Sequence, residues 1–166
     1  MADCFKRLRR AVLARTYHFA YPLVRQGWRL TAPVKLGVRA VVLDETGHVL
    51  LVRHAYGSEG WGFPGGAPRR REQLADTAVR EVWEETGVRC QVQRLLGVFD
   101  SFAEGKSDHV ALFLCHTQQA AQAQAMSAEI IACRFFPPDA LPPLSAGTRR
   151  RLAEMQTARS FWGFWE

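Results

Sequence analysis

One stretch, GGAPRRREQLADTAVREVWEETGV from Gly65 to Val88, restricts what this chain can fold into more than any other. Leu74, Ala75, Ala78, Val79 and Val82 recur at helical spacing and give a helix one apolar face to bury. Glu81, Glu84 and Glu85 stand at i, i+3 and i+4, so three carboxylates share one face of that helix. Phe63-Pro64-Gly65-Gly66 ends a short apolar run and forces a tight turn. Glu72 and Asp76 lie near the helix start, where the dipole favours acids, and Gly87 follows the last turn as a left-handed cap.

Like charges so placed repel by roughly 0.2–0.5 kcal/mol per pair on an exposed helix. Two arrangements answer that repulsion. One is a solvated, salt-bridged face with Arg80 or Arg89 as partners. The other is a hard divalent cation: Mg²⁺ takes oxygen ligands, a few carboxylates together with waters and phosphate oxygens. Glycines let backbone carbonyls and amides come close to such a metal or to an anion. Clustered acids with no Ser/His/Asp arrangement fit metal-assisted hydrolysis and not acyl-enzyme chemistry.

The pattern resembles the Nudix box, G-x5-E-x7-R-E-U-x-E-E-x-G-U with U aliphatic. Gly66, Glu72, Arg80, Glu81, Val82, Glu84, Glu85, Gly87 and Val88 meet every fixed position. The resemblance implies an α/β fold, a three-layer α/β/α sandwich with a mixed sheet. It implies Mg²⁺, with Mn²⁺ able to substitute, bound by Glu81, Glu84, Glu85 and a carbonyl of Gly65 or Gly66. Arg80 would hold Glu72 and fix the loop against the helix. A further carboxylate often comes from a distant loop as metal ligand or general base. Glu129, just before the last predicted strand, is the best candidate, ahead of Glu104 and Asp108, and joins Glu84 and Glu81 as the expected catalytic acids. The implied reaction is hydrolysis of a phosphoanhydride bond in a nucleoside diphosphate linked to another moiety.

Two positions depart from the usual family look: Arg69 stands where many members have Glu, and Arg71 where many have Gly. The run Arg69-Arg70-Arg71 is either a solvated basic turn or a source of positive charge for substrate phosphates. Arg53, His54, Tyr56 and Trp61 lie just before the glycine turn; Arg53, Tyr56, Arg69 and Arg71 are the substrate-binding candidates, with packing the alternative for the aromatics. Markers that the resemblance would lead one to seek downstream, a proline for ADP-ribose or a tyrosine for dinucleoside polyphosphates, are missing from Ala103-Glu104-Gly105-Lys106. A small-molecule nucleotide, a nucleoside diphosphate linked to another moiety, is therefore as far as the sequence bounds the substrate.

The 166 residues carry a net charge of +6, unevenly spread. Residues 1–35 hold eight Lys or Arg against the single acid Asp3, so the basicity belongs to an N-terminal arm and the remainder, 36–166, forms the hydrolase domain. Phe5, Leu8, Val12, Phe19 and Leu23 give the arm an approximate helical stripe; a helix packed on its own domain, RNA or another anionic surface, and an organellar transit peptide are the readings it leaves open. A Nudix fold used as a binding module, or an enzyme acting on RNA 5′ ends, would use the arm. No apolar run is long enough to span a membrane. Cys4, Cys90, Cys115 and Cys133 form no C-x-x-C pair and read as reduced thiols of a cytoplasmic protein.

Along the rest of the chain, 36–43 and 48–54 form a predicted hairpin, 61–63 a short strand, 90–102 and 109–117 long strands, and 130–136 the last strand. Residues 118–128 read as a flexible Gln/Ala-rich surface loop. A closing helix is predicted over 145–158, with Leu152 and Met155 buried. The tail Phe161-Trp162-Gly163-Phe164-Trp165 is too apolar to leave in water; it folds back on the domain or meets a second subunit as a homodimer.

Overall fold

The computed structural model describes residues 34–55, 60–102, 107–118, 120, 123–157 and 162–165. Nearly all of the basic arm lies outside these residues, as do Tyr56 and Glu104. The strands are β1 (Val34–Leu43), β2 (Val49–His54), β3 (Gln91–Ser101), β4 (Ser107–His116), β5 (Ile130–Phe136) and β6 (Trp162–Phe164); the helices are α1 (Leu74–Thr86) and α2 (Ala146–Thr157). They build one six-stranded sheet in the order β5-β2-β1-β4-β3-β6. The β1–β4 and β3–β6 pairs are parallel and the other three antiparallel, so the sheet is mixed as expected.

Period-two alternation divides the core. Val38, Ala40 and Val42 of β1 join Leu50, Ala111, Phe113 and Cys115 on the face covered by Ala78 and Val82 of α1. Val41, Val49, Leu51, Leu112 and Leu114 line the opposite face, where Leu152 and Met155 of α2 pack. The result is the three-layer α/β/α sandwich. Burying a side chain such as Val82, which is fully enclosed, contributes roughly 1.5–3 kcal/mol.

Three local expectations are corrected. Residues 61–63 do not form a strand: Trp61 and Gly62 make single bridges, to Leu144 and Val52. The chain there turns inward, and Pro64, lacking an N–H, cannot continue a ladder. The strand at 130–136 is not the last, because β6 adds to the far edge of β3. The described part of 118–128 is pinned: Gln124 N–H donates to Thr86 O and Met126 N–H to Glu85 O, each at 3.0 Å, satisfying carbonyls left over at the end of α1. Arg151, unforeseen on α2, is 1% exposed and lies 4.0 Å over the Phe99 ring.

The tail folds back. Trp165 N–H donates to Asp100 O at 2.7 Å, and the indole packs so tightly on Gly147 that a Cβ there would sit 2.2 Å from Nε1. Among the described residues no helix is long and apolar enough to cross a membrane. Cys90 and Cys115 are buried thiols, and Cys133 is only partly enclosed.

Candidate metal and phosphate site

The site is made by a split in the sheet. β1 and β2 pair at Leu43↔Val49 and then part. The segment before the glycines fills the gap: Val52 and Gly62 exchange both backbone hydrogen bonds at 2.9 Å, Ala40 N–H donates to Pro64 O, and Val38 N–H to Gly66 O at 2.8 Å. Gly65 has φ 148°, and a Cβ there would lie 2.1 Å from Val38 O. Only glycine lets the loop sit this close to β1. A Cβ on Gly66 would lie 2.6 Å from the Glu81 carboxylate, so that glycine forms the cradle in which the acid rests.

The helix α1 that carries the acids begins after Gln73, whose side chain makes no capping hydrogen bond, and ends at Gly87 with φ 70°. Its apolar face sets the direction of the carboxylates. With Ala78 and Val82 against the sheet, Glu85 is drawn inward and is 7% exposed, while Glu84 points outward with its side chain 36% exposed. Glu85 Oε2 accepts from Gly65 N–H at 3.1 Å. Burial, reinforced by the charges of Glu81 and Glu129, raises the Glu85 carboxyl to about 7, against the opposing pull of Arg39.

Arg80 gathers the remaining acids. Its Nε and Nη2 donate to the two oxygens of Glu72 at 2.6 and 2.9 Å, and Nη1 donates to Glu81 at 2.7 Å and Glu84 at 3.0 Å. Nη2 also reaches Ala67 O at 3.2 Å. Glu72 in turn accepts from Arg69 N–H at 2.7 Å. Its carboxyl is held down at about 2, first by the hydrogen bonds from Arg80, whose guanidinium is correspondingly raised. Arg69 Nη2 donates to the second oxygen of Glu84 at 2.7 Å. Arg80 and Arg69, and not Arg89, thus balance the outer acids.

Arg39 is the residue that sequence reasoning missed. Its Nη1 donates to Gly65 O at 2.9 Å and Phe63 O at 3.3 Å, and the guanidinium faces the charges of Glu85 and Glu81. The available signal was an arginine inside the apolar run LGVRAVVL. His54, partly buried at the end of β2, feels Arg39 and Glu129 as well; burial first, then Arg39, lowers its affinity for a proton. Glu129 is exposed, and its carbonyl accepts from Ala55 N–H at 2.8 Å. Its charge registers on Glu85 and His54, so it borders the site. Arg53 is exposed on β2. Arg71 is exposed with φ 64°, a left-handed conformation that suits glycine. Tyr56 lies outside the described residues.

The profile of the NUDIX domain matches residues 33–155, three quarters of the chain and every site residue named above. The chain belongs to the NUDIX family. Residues similar to this NUDIX domain occur in a "MutT-like protein" of Streptomyces ambofaciens, 31% identical over 104 residues, which are 63% of this chain and 64% of that protein. The human "Nucleoside diphosphate-linked moiety X motif 6" is 39% identical over 80 residues, covering 45% of this chain and 25% of that one. The chain thus spans from a quarter to just under two thirds of the length of these curated relatives. Among solved structures, a "UDP-X diphosphatase" superposes with a TM-score of 0.63 at 26% identity, covering 97% of this chain and 85% of that one.

Among the described residues of this NUDIX domain, no three His, Cys, Asp or Glu side chains stand close enough to ligate a metal ion as they lie. The chemistry of the donors nonetheless fits a hard cation. Glu81 rests in the Gly66 cradle, Glu85 is tied to Gly65, and the charges of Glu81 and Glu129 make Glu85 harder to ionise without a cation.

Proposed function

We propose that this NUDIX protein is a Mg²⁺-dependent hydrolase, also able to use Mn²⁺, that cleaves a phosphoanhydride bond in a nucleoside diphosphate linked to another moiety. The observation that carries the reading is the pairing of Glu81 and Glu85 with the Gly65-Gly66 turn: two carboxylates brought against a backbone that only glycine can form. The relative described as acting on "UDP-X" and the one described by "nucleoside diphosphate-linked moiety X" support the same substrate class.

In this reading Glu81, Glu84, Glu85 and the Gly65 carbonyl hold the ion, and Arg80 with Glu72 keeps the loop and helix in register. The metal, when bound, would neutralise phosphate oxygens and lower the pKa of a water. In the same reading Glu84, the most exposed of the three clustered acids, and the exposed Glu129 would accept a proton from the attacking water. Arg53, Arg69 and Arg71 supply positive charge to the phosphates, and Tyr56 is the aromatic candidate for the nucleoside. Buried thiols at Cys90 and Cys115 suit a reducing, cytoplasmic setting. RNA contact is a proposed use of the basic N-terminal arm, and a homodimer a proposed use of the apolar tail.

The test is a panel of nucleoside diphosphate sugars, ADP-ribose, dinucleoside polyphosphates and 5′-triphosphorylated RNA with Mg²⁺, assayed for released monophosphate or pyrophosphate. Turnover of the first two classes, lowered by orders of magnitude in Glu84→Gln and Glu85→Gln with unchanged circular dichroism, is expected. Salt-sensitive RNA binding with no turnover of any compound would instead make the protein a binding module.

A further inference from the structure

Arg39 is an unusual occupant of a central strand. Its neighbours Val38, Ala40, Val41 and Val42 are fully buried, and its partner across the parallel ladder is Leu112. A cation in such a place needs compensation. The split between β1 and β2 provides it: the guanidinium turns into the gap, takes the carbonyls of Gly65 and Phe63, and faces Glu85 and Glu81. It therefore holds the same oxygen and the same charges that the proposed divalent cation would use.

We infer that Arg39 is the resident counter-cation of the Glu81–Glu85 pair, which holds the glycine loop and the acids together without metal and competes with the divalent ion for the Gly65 carbonyl. This rests on the metal site proposed above. The physics gives the two roles opposite signs on substitution. A guanidinium bound to the loop carbonyls and facing the charges of two carboxylates stabilises the metal-free fold, and the same positive charge repels an incoming cation. Arg39 is accordingly a positioning residue that sets how much metal the site needs; it need not touch substrate. A residue that served only as a strut for the loop would change stability and metal affinity in the same direction.

The experiment measures Mn²⁺ binding directly, by the electron paramagnetic resonance signal of free Mn²⁺, and melting temperature in EDTA, for the full chain. Variants are Arg39→Met, Arg39→Gln and Arg39→Lys. Expected are a lower metal-free melting temperature and a Mn²⁺ dissociation constant about tenfold tighter for Arg39→Met, with Arg39→Lys near wild type. Should the Met variant fail to fold, Arg39→Gln reads the same sign, because its amide still donates a hydrogen bond while the charge is gone. Unchanged or weaker Mn²⁺ binding in the neutral variants, with wild type binding normally, overturns the inference and leaves the site intact. Absence of Mn²⁺ binding by wild type overturns the metal site itself, and the inference with it.

Discussion

The guanidinium of Arg80 grips the carboxylate of Glu72 through two hydrogen bonds, Nε to Oε1 at 2.6 Å and Nη2 to Oε2 at 2.9 Å. One residue lies on the helix and the other in the loop before it, so the pair ties the two halves of the site. The same guanidinium also touches Glu81 and Glu84.

That pair has a pH signature. The Glu72 carboxyl is lowered from 4.5 to about 2 in the folded protein. A depressed acid contributes stability that is present above its unfolded pKa and is lost as pH falls through the folded one. Melting temperatures of wild type and Glu72→Gln should therefore differ at pH 6 and converge as pH drops from 4.5 towards 2. A constant offset over that window would refute the assignment.

Glu85 behaves in the opposite sense. Its carboxyl is raised from 4.5 to about 7, so folding favours the protonated form in the absence of metal. Stability is full below 4.5 and declines as pH rises through about 7, by about 3 kcal/mol at most. Melts in EDTA from pH 4 to 8 should show this fall, Glu85→Gln should flatten it, and added Mg²⁺ should restore stability at pH 8. A metal-free melting curve that climbs over that range would count against it.

The two glycines of the turn should respond differently to alanine. A Cβ on Gly65 meets the backbone of β1, 2.1 Å from Val38 O, and cannot be relieved by a side-chain rotation. Gly65→Ala should cost about 3 kcal/mol or more. A Cβ on Gly66 meets only the flexible end of Glu81, at 2.6 Å. Gly66→Ala should stay within a few degrees of the wild-type melting temperature yet lose roughly a hundredfold in kcat/KM, because the carboxylate is displaced. Equal effects of the two substitutions on stability would contradict the geometry.

Arg71 offers a clean test of the basic loop. Its φ of 64° suits glycine, so Arg71→Gly removes the charge while relieving backbone strain. Relief of left-handed strain, roughly 1–2 kcal/mol, at least offsets the entropy cost of glycine, roughly 0.5–1 kcal/mol. Stability should not fall, and KM should rise about tenfold with kcat unaltered, the pattern of a lost phosphate contact made equally in ground and transition states. An unchanged KM would mark Arg71 as a solvated turn residue.

Much of this molecule was legible because its signals are local. The period of Leu74, Ala78 and Val82 fixes which side of α1 is buried, and that choice aims Glu81, Glu84 and Glu85 without reference to any distant residue. The alternation in β1 and β4 orders the sheet faces in the same way. The tail was recognisable as an adhesive segment; the structure adds its strand β6 to the edge of β3 and packs Trp165 on Gly147.

By itself the sequence determined the turn, the helix and the set of acids, because each depends on residue type at short spacing. Only the tertiary structure decided that β1 and β2 part to admit the Gly65 loop, and that Arg39 turns into the opening against Glu85. Arg39 and Glu85 are separated along the chain by the whole loop and helix, and no local period records such a pairing. A charge buried in a strand announces that a partner exists; which partner it meets is settled when the sheet closes.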